Sequence, residues 1–357
     1  MTKCIMNGCD LHDKTMLLKI SVDLEPPVTR TWDTDQRGRA AMIRYLQRHA
    51  KKNGADRIVF AYEACGFGFG LYDELTAAGI ETYVLAPSKM ARSPKHRQRK
   101  TDERDAQMIL ELLRGYILAG NELPSVWVPD AATRQDRELV RRRLTVAEDS
   151  SAAQTRIRWL LKGHDLKASP ARPWTQAYWE WLEQLRRNVL PLSASGALGS
   201  LMRQVRWLEE EGDWLMEQVT ALSRTPRYVA QVTALCRLKG VGVLTAMVFL
   251  TEMGDLNRFH NRRQVGAYLG LVPASYESGE DNDHKGHITR QGPSRVRKVL
   301  CQATWSRLRS EPSEQLAYDR IVTKNPKHKK IATVARMRVL AIRMWHAALS
   351  VPQAEVA

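Results

Sequence analysis

Cysteine is scarce in this sequence. Five occur in 357 residues, at Cys4, Cys9, Cys65, Cys236 and Cys301, an odd number with no Cys-x-x-Cys spacing. That argues against a disulfide framework and a structural zinc site, and for reduced thiols in a cytosol. Long apolar runs are also missing: none approaches the roughly twenty residues that span a bilayer. The first residues, Met-Thr-Lys-Cys-Ile-Met-Asn, lack the layout of a signal peptide. Acid is the third shortage, with Asp plus Glu at 39 against Lys plus Arg at 55, a formal charge of +16. An excess of that size favours a polyanion, through phosphate contacts and counterion release. With no membrane partner expected, nucleic acid is the leading one. The length suits two or three domains, each with ample core.

The stretch that carries chemistry is residues 95 to 106, Lys-His-Arg-Gln-Arg-Lys-Thr-Asp-Glu-Arg-Asp-Ala. Cations lead into Asp102 and Asp105, and the apolar spacing of Met108, Ile109, Leu112 and Leu113 predicts an amphipathic helix over 102–119. A spacing of three puts both carboxylates on one face, one turn apart. Such neighbours resist ionising together unless a cation sits between them, and a hard divalent ion with oxygen ligands suits the place. Taken alone, the pair is accounted for by a helix cap at Asp102 with Asp105 in the first turn, and it is the rest of the chain that favours the metal.

Upstream, alternation and turn residues predict strands at 4–10, 15–22 and 28–33, a helix at 36–52, and a buried strand at 57–62 running into Glu63. A helix ending near Gly79, a fifth strand at 80–86 and the basic loop 88–101 follow. Three strands, then helix, strand, helix, strand, helix, is the order of an RNase H-like layer with a mixed sheet. In that topology the first and fourth strands are parallel neighbours. Asp10 and Glu63 then lie side by side at strand ends, where adjacent carboxylates make poor packing and good metal ligands. Asp13 competes with Asp10 but falls in a turn. A buried acid paired with a lysine is the other account of Glu63. Together Asp10, Glu63, Asp102 and Asp105 form a quartet able to hold one or two Mg²⁺ ions and polarise a scissile phosphate.

Pro124 to Pro129 closes this first domain, set at 1–125. A helical region, 126–227, carries a short heptad seam of Leu201, Val205, Leu208, Leu215, Val219 and Leu222, interrupted by Gly212. It suits either a helix packed in its own subunit or a coiled coil between subunits. Trp159, Trp174, Trp179, Trp181, Trp207 and Trp214 are expected to anchor packing. The third domain, 228–357, opens on Leu238-Lys-Gly-Val-Gly-Val, similar to a helix-hairpin-helix turn whose glycines admit a phosphate. Candidate nucleic-acid contacts are Lys95, Arg97, Arg99 and Lys100 before the acidic helix, and Lys239, Gly240, Gly242, Lys285, Arg290, Arg295, Arg297 and Lys298 here. Ser278 stands in a polar, glycine-bounded loop between cationic elements.

These motifs resemble those of the IS110 family of insertion-sequence transposases, in the subgroup called IS1111-like. Gly8-Cys-Asp10-Leu-His-Asp-Lys14, Tyr62-Glu63-Ala-Cys-Gly66 and Lys100-Thr-Asp102-Glu-Arg-Asp105-Ala carry the N-terminal resemblance. Gly240-Val-Gly242, Glu252-Met-Gly-Asp255, Leu269-Gly-Leu-Val-Pro273, Ser278-Gly279 and Gly286-His-Ile-Thr-Arg-Gln-Gly292 carry the C-terminal one. The resemblance implies a RuvC-like N-terminal domain with a metal site of Asp10, Glu63, Asp102 and Asp105. It also implies a mainly helical C-terminal transposase domain with a serine nucleophile, placed on Ser278 with Ser275 as the fallback. Here Glu277 stands where the family often has a first serine. Donor and target DNA, a guide RNA encoded beside the gene, and a homo-oligomer in a bacterial or archaeal cytosol are further implications. The expected chemistry is recombination through a phosphoserine link, which preserves phosphodiester energy for rejoining. A junction resolvase or nuclease using activated water is the alternative, and a non-catalytic nucleic-acid binder a third.

Overall fold

The structure, a computed structural model, describes residues 3–90, 101–166, 169, 171–275, 285–324, 326–327 and 329–351. The chain divides into two compact units, Met1–Val128 and Pro129–Ala357. The boundary expected at 125/126 lies beside this division, and the one expected at 227/228 falls within the second unit.

The first unit holds a five-stranded mixed sheet. Its strands are β1 (Cys4–Leu11), β2 (Thr15–Val22), β3 (Val28–Asp33), β4 (Arg57–Glu63) and β5 (Glu81–Leu85), in the order β3-β2-β1-β4-β5. β1, β2 and β3 pair antiparallel; β4 runs parallel to both β1 and β5. Helices α1 (Gln36–Asn53), α2 (Gly70–Ala77) and α3 (Asp102–Ala119) complete it.

Alternation along the strands sorts side chains to two faces. Ile5, Cys9, Phe60 and Tyr62 join Met42, Leu46 and Leu75 of α1 and α2 in one core. Cys4, Met6, Val59 and Ala61 join Ile109, Leu110 and Leu113 of α3 in the other. α3 is pinned at β2 by Arg114, whose guanidinium donates to the Ser21 hydroxyl (2.6 Å) and the Glu25 carbonyl (2.7 Å).

The second unit is almost entirely helical. Helix α4 (Ala131–Gly163) lies along α6 (Leu192–Ser223), with α5 (Gln176–Asn188) beside α6. The α6 seam buries Leu198, Met202, Val205, Leu208, Leu215 and Val219. It meets Leu144, Val146, Ala153 and Ile157 of α4 in shared cores, so this apolar face is satisfied within the chain. Gly212 belongs to the seam instead of interrupting it: a Cβ there would stand 3.7 Å from Val146 Cγ1. Leu201 and Leu222 lie half-buried at its edges.

Trp174 and Trp181 pack against Tyr178, and Trp179 against Trp174, as expected. Trp159, Trp207 and Trp214 do not, being exposed. On α6 these rings sit one residue before Leu208 and Leu215, off the buried stripe.

Helices α7 (Val229–Cys236), α8 (Val243–Met253), α9 (Arg262–Tyr268), α10 (Ser294–Ser310), α11 (Pro312–Lys324) and α12 (Lys329–Leu349) follow, with a hairpin of β6 (Pro273–Ser275) and β7 (Lys285–Ile288). α8 is central, in contact with α4, α6, α7 and α10, and buried on every side from Ala246 to Met253. Among the described residues no helix is long and apolar enough to cross a membrane.

Candidate metal centre

The site grows from the β1 face that α3 covers. Gly8 follows Cys4 and Met6 on that face, and α3 lies directly against it: a Cβ on Gly8 would meet the Ala106 carbonyl oxygen and the Leu110 nitrogen at 2.4 Å each. Two residues further along the same face is Asp10. On β4, Val59 and Ala61 occupy this face, which carries Glu63 next. The parallel register pairs Gly8 with Ala61 and Cys9 with Tyr62. Asp10 and Glu63 therefore leave adjacent strands at the same end and on the same side.

α3 supplies the remaining acids. Its cap is Thr101, in extended backbone at φ −141 and ψ 146. Asp102 is thus the first helical residue and not the cap, which removes the simplest structural account of it. Asp102, Glu103 and Asp105 occupy the first turn, where the helix dipole favours negative charge. Asp105 and Asp10 are buried, at 5% and 8% exposure.

Burial pushes the Asp10 carboxyl above its ordinary range, and the charges of Asp105 and Asp102 push in the same direction. His12 opposes them. Its Nε2 lies 3.0 Å from Asp10 Oδ2 and 3.3 Å from Asp102 Oδ1. One ligand atom from each of Asp10, His12 and Asp102 falls within 4.8 Å of the others. Around Asp10 the structure thus gathers Asp102, Asp105 and His12, while Glu63 is positioned by strand register. His12 was not among the residues singled out from the sequence. It stands in the turn just past the end of β1, where no local pattern marks it.

Crowded carboxylates, two of them buried, fit a divalent cation: the donors are hard oxygens, and the cation would offset the burial and repulsion that raise Asp10. The partly open rim, with Asp102 at 57% and His12 at 44% side-chain exposure, leaves room for substrate oxygens.

The C-terminal candidates fall differently. Ser278 lies outside the described residues, as do Lys95, Arg97, Arg99 and Lys100. Ser275 ends β6, its backbone paired with Lys285. Lys239 forms an ion pair with Glu311 at 2.7 Å. Gly240, at φ 88, packs its backbone against α10, where a Cβ would come 2.5 Å from the Ala303 carbonyl. Gly242 caps α8 with open space around it. The Arg297 guanidinium donates to the carbonyls of Leu269, Gln291 and Gly292. Lys298 pairs with Glu148 at 2.8 Å. Arg290 has left-handed backbone at φ 54, and Arg295 is half-buried on α10. Several of these cations thus hold the second unit together.

Two buried acids of that unit have pairings that the sequence did not reveal, Glu252 among them although it stands in the Glu252-Met-Gly-Asp255 motif. Glu252 on α8 receives a two-pronged bond from Arg141 on α4, Nε to Oε1 at 2.7 Å and Nη2 to Oε2 at 2.8 Å. Glu314 on α11 accepts from Arg307, Arg336 and Arg343. A lone acid in the apolar run Val-Leu-Thr-Ala-Met-Val-Phe-Leu-Thr-Glu-Met was the signal for the first, since a buried charge requires a partner.

A transposase model for DEDD-type IS110 elements matches residues 8–165, and a second, for the IS116/IS110/IS902 transposase family, matches residues 232–319. A Sinorhizobium fredii protein named as transposase y4qE is 33% identical over 78% of this chain and 65% of its own length. The transposase for insertion sequence element IS1111A of Coxiella burnetii is 26% identical over 81% of the chain and 78% of its own. That for element IS1533 of Leptospira borgpetersenii is 26% identical over 68% and 69%. Of y4qE, and of a second S. fredii relative, y4rJ, the matched region spans just under two thirds, 65% in each case. Two models on separate stretches, in this order and covering more than half of the sequence, place the chain in the IS110 family of transposases.

Proposed function

We propose that this chain is a DNA transposase that cuts and rejoins donor and target DNA. The observation that carries the reading is the gathering of Asp10, Asp102 and Asp105 where β1 ends against α3. Strand order and the parallel β1–β4 pair support an RNase H-like, RuvC-like layer in the first unit. The names of the relatives support transposition as the activity.

Asp10, Glu63, Asp102 and Asp105 hold the ion, Mg²⁺ in our reading, one or two in number. When bound it supplies positive charge that offsets the charge developing on the scissile phosphodiester. Ser278 is the nucleophile: its Oγ bonds to phosphorus, the bond to the 3′ oxygen breaks, and the proton lost by the hydroxyl is balanced by one gained at that oxygen. The phosphoserine link conserves the phosphodiester for rejoining to the exchanged strand. Positioning and electrostatics provide most of the acceleration. A structured RNA encoded beside the gene guides the choice of DNA, and the enzyme works as a homo-oligomer in the cytosol. The +16 charge suits both nucleic acids.

The test combines the chain, RNA transcribed from the flanks of its gene, Mg²⁺, and donor and target DNA. Recombined product, with a protein–DNA adduct on a denaturing gel that disappears in Ser278→Ala, supports the proposal. Nicks without an adduct would replace the serine by metal-activated water. An adduct that persists in Ser278→Ala would remove Ser278 from its role.

A further inference from the structure

We infer that His12 is a ligand of the metal centre through Nε2, so that the site offers one nitrogen beside its carboxylate oxygens and binds Mn²⁺ in preference to Mg²⁺. The inference rests on the metal centre proposed above and extends it by a residue outside the acidic quartet.

The geometry points there first. Nε2 lies between carboxylates from two different elements, 3.0 Å from Asp10 at the end of β1 and 3.3 Å from Asp102 at the start of α3. Adjacent ligands on an octahedral ion are separated by about 1.4 times the bond length. Bonds of about 2.1–2.3 Å therefore require ligand atoms roughly 3.0–3.3 Å apart. Both His12 separations fall on such edges. Without an ion the same nitrogen hydrogen-bonds to Asp10 Oδ2 at 3.0 Å, and a bound cation would take the place of that shared proton.

Access agrees with geometry. His12 is 44% exposed and Asp10 11% exposed at their side chains. The imidazole thus lies on the exposed side of the cluster and Asp10 on its buried side. An ion entering from solvent meets His12 and Asp102 first and the buried acid last.

Chemistry then sets the preference. Carboxylates alone suit Mg²⁺ and Mn²⁺ alike, whereas an imidazole nitrogen gains more from a transition ion than from Mg²⁺. His12 therefore separates two ions that an all-oxygen site would treat similarly.

Mn²⁺ itself is the probe, because its electron spin reports directly on coordinated nitrogen. Pulsed electron paramagnetic resonance of full-length chain loaded with Mn²⁺ should show ¹⁴N coupling of an imidazole. The coupling should vanish in His12→Ala and remain in Asp13→Ala, a neighbouring acid outside the site. By calorimetry His12→Ala should weaken Mn²⁺ about tenfold or more, a typical cost of losing one supporting group, and change Mg²⁺ binding far less. Bound Mn²⁺ without ¹⁴N coupling in the unmodified chain, or coupling that survives His12→Ala, overturns the inference and leaves the carboxylate site standing. Absence of any divalent binding overturns the metal reading itself. Circular dichroism of each variant confirms that a lost signal is not lost folding.

Discussion

Gly8 of β1 and Ala106 of α3 are in contact through backbone: a Cβ on the glycine would sit 2.4 Å from the alanine's carbonyl oxygen. This approach sets how near the acids of α3 come to the acid of β1. Gly8→Ala must push the helix away, since neither the carbonyl nor the Leu110 amide can step aside alone. We expect a loss of about 1–3 kcal/mol, the usual range for overpacking a core, measured by urea denaturation. Divalent-ion affinity should fall with it. Gly66→Ala, with nothing within 4 Å of its Cβ, should leave stability nearly unchanged.

Asp10 predicts a pH dependence. Burial raises its carboxyl above the ordinary 3.8, with Asp105 and Asp102 adding to the rise. The folded chain therefore holds the proton more tightly than the unfolded chain does. Between the ordinary value and the raised one, stability falls as pH rises, and the charged carboxylate remains a burden above it. In chelator, Asp10→Asn should thus be more stable than the unmodified chain at neutral pH. The gap should close as pH falls toward 3.8. Added divalent ion should reverse the ranking, since an ion at a hundred times its dissociation constant contributes about 2.7 kcal/mol to a chain that binds it. Thermal unfolding with and without the ion reads both effects.

How much of this was legible follows from what each signal depends on. The five strands and α3 announce themselves through local alternation and turn residues, so their bounds agree with the sequence to within about two residues. Asp10 and Glu63 were readable because parallel neighbours put their ends together. His12 was not, because a residue in a tight turn takes its role from which carboxylates it meets. The α6 seam was visible, yet Gly212 read as an interruption because its partner, Val146, lies on another helix. The exposed rings of Trp207 and Trp214 had a local signal, their offset from the seam. Nothing local paired Glu252 with Arg141, since they are 111 residues apart.

That long-range pair carries the third prediction. Glu252 is buried, with a side chain 5% exposed, and Arg141 is 41% exposed. Arg141→Met leaves a carboxylate inside the core of the second unit without its two-pronged donor. Removing one partner of a buried pair costs about 3–5 kcal/mol, and the accessible guanidinium places this case near the lower end. Arg141→Met combined with Glu252→Met should recover most of the loss, since the charge left stranded is then gone. A urea double-mutant cycle measures it. Equal destabilisation by the single and double changes would mean that the pair contributes nothing beyond packing.

Glu314 is shared among three arginines, accepting from Arg307 at 3.2 Å and also from Arg336 and Arg343. Burial works against its charge, but hydrogen bonds from Arg336 and Arg343 outweigh it and hold the carboxyl below the ordinary 4.5. Because the folded value is the lower one, the unfolded chain binds the proton first as acid is added. The stability from this group is complete above the ordinary value and disappears as pH falls through the depressed one. Glu314→Gln should therefore destabilise the chain at neutral pH, leaving three guanidinium groups without their shared counter-charge. It should also flatten the acid limb of the pH–stability curve. Denaturation midpoints taken from pH 7 down to the onset of acid unfolding separate the two effects. If the limb keeps its slope in Glu314→Gln, the acid sensitivity belongs to other carboxylates, and the arginine cluster joins α10, α11 and α12 by packing instead of charge.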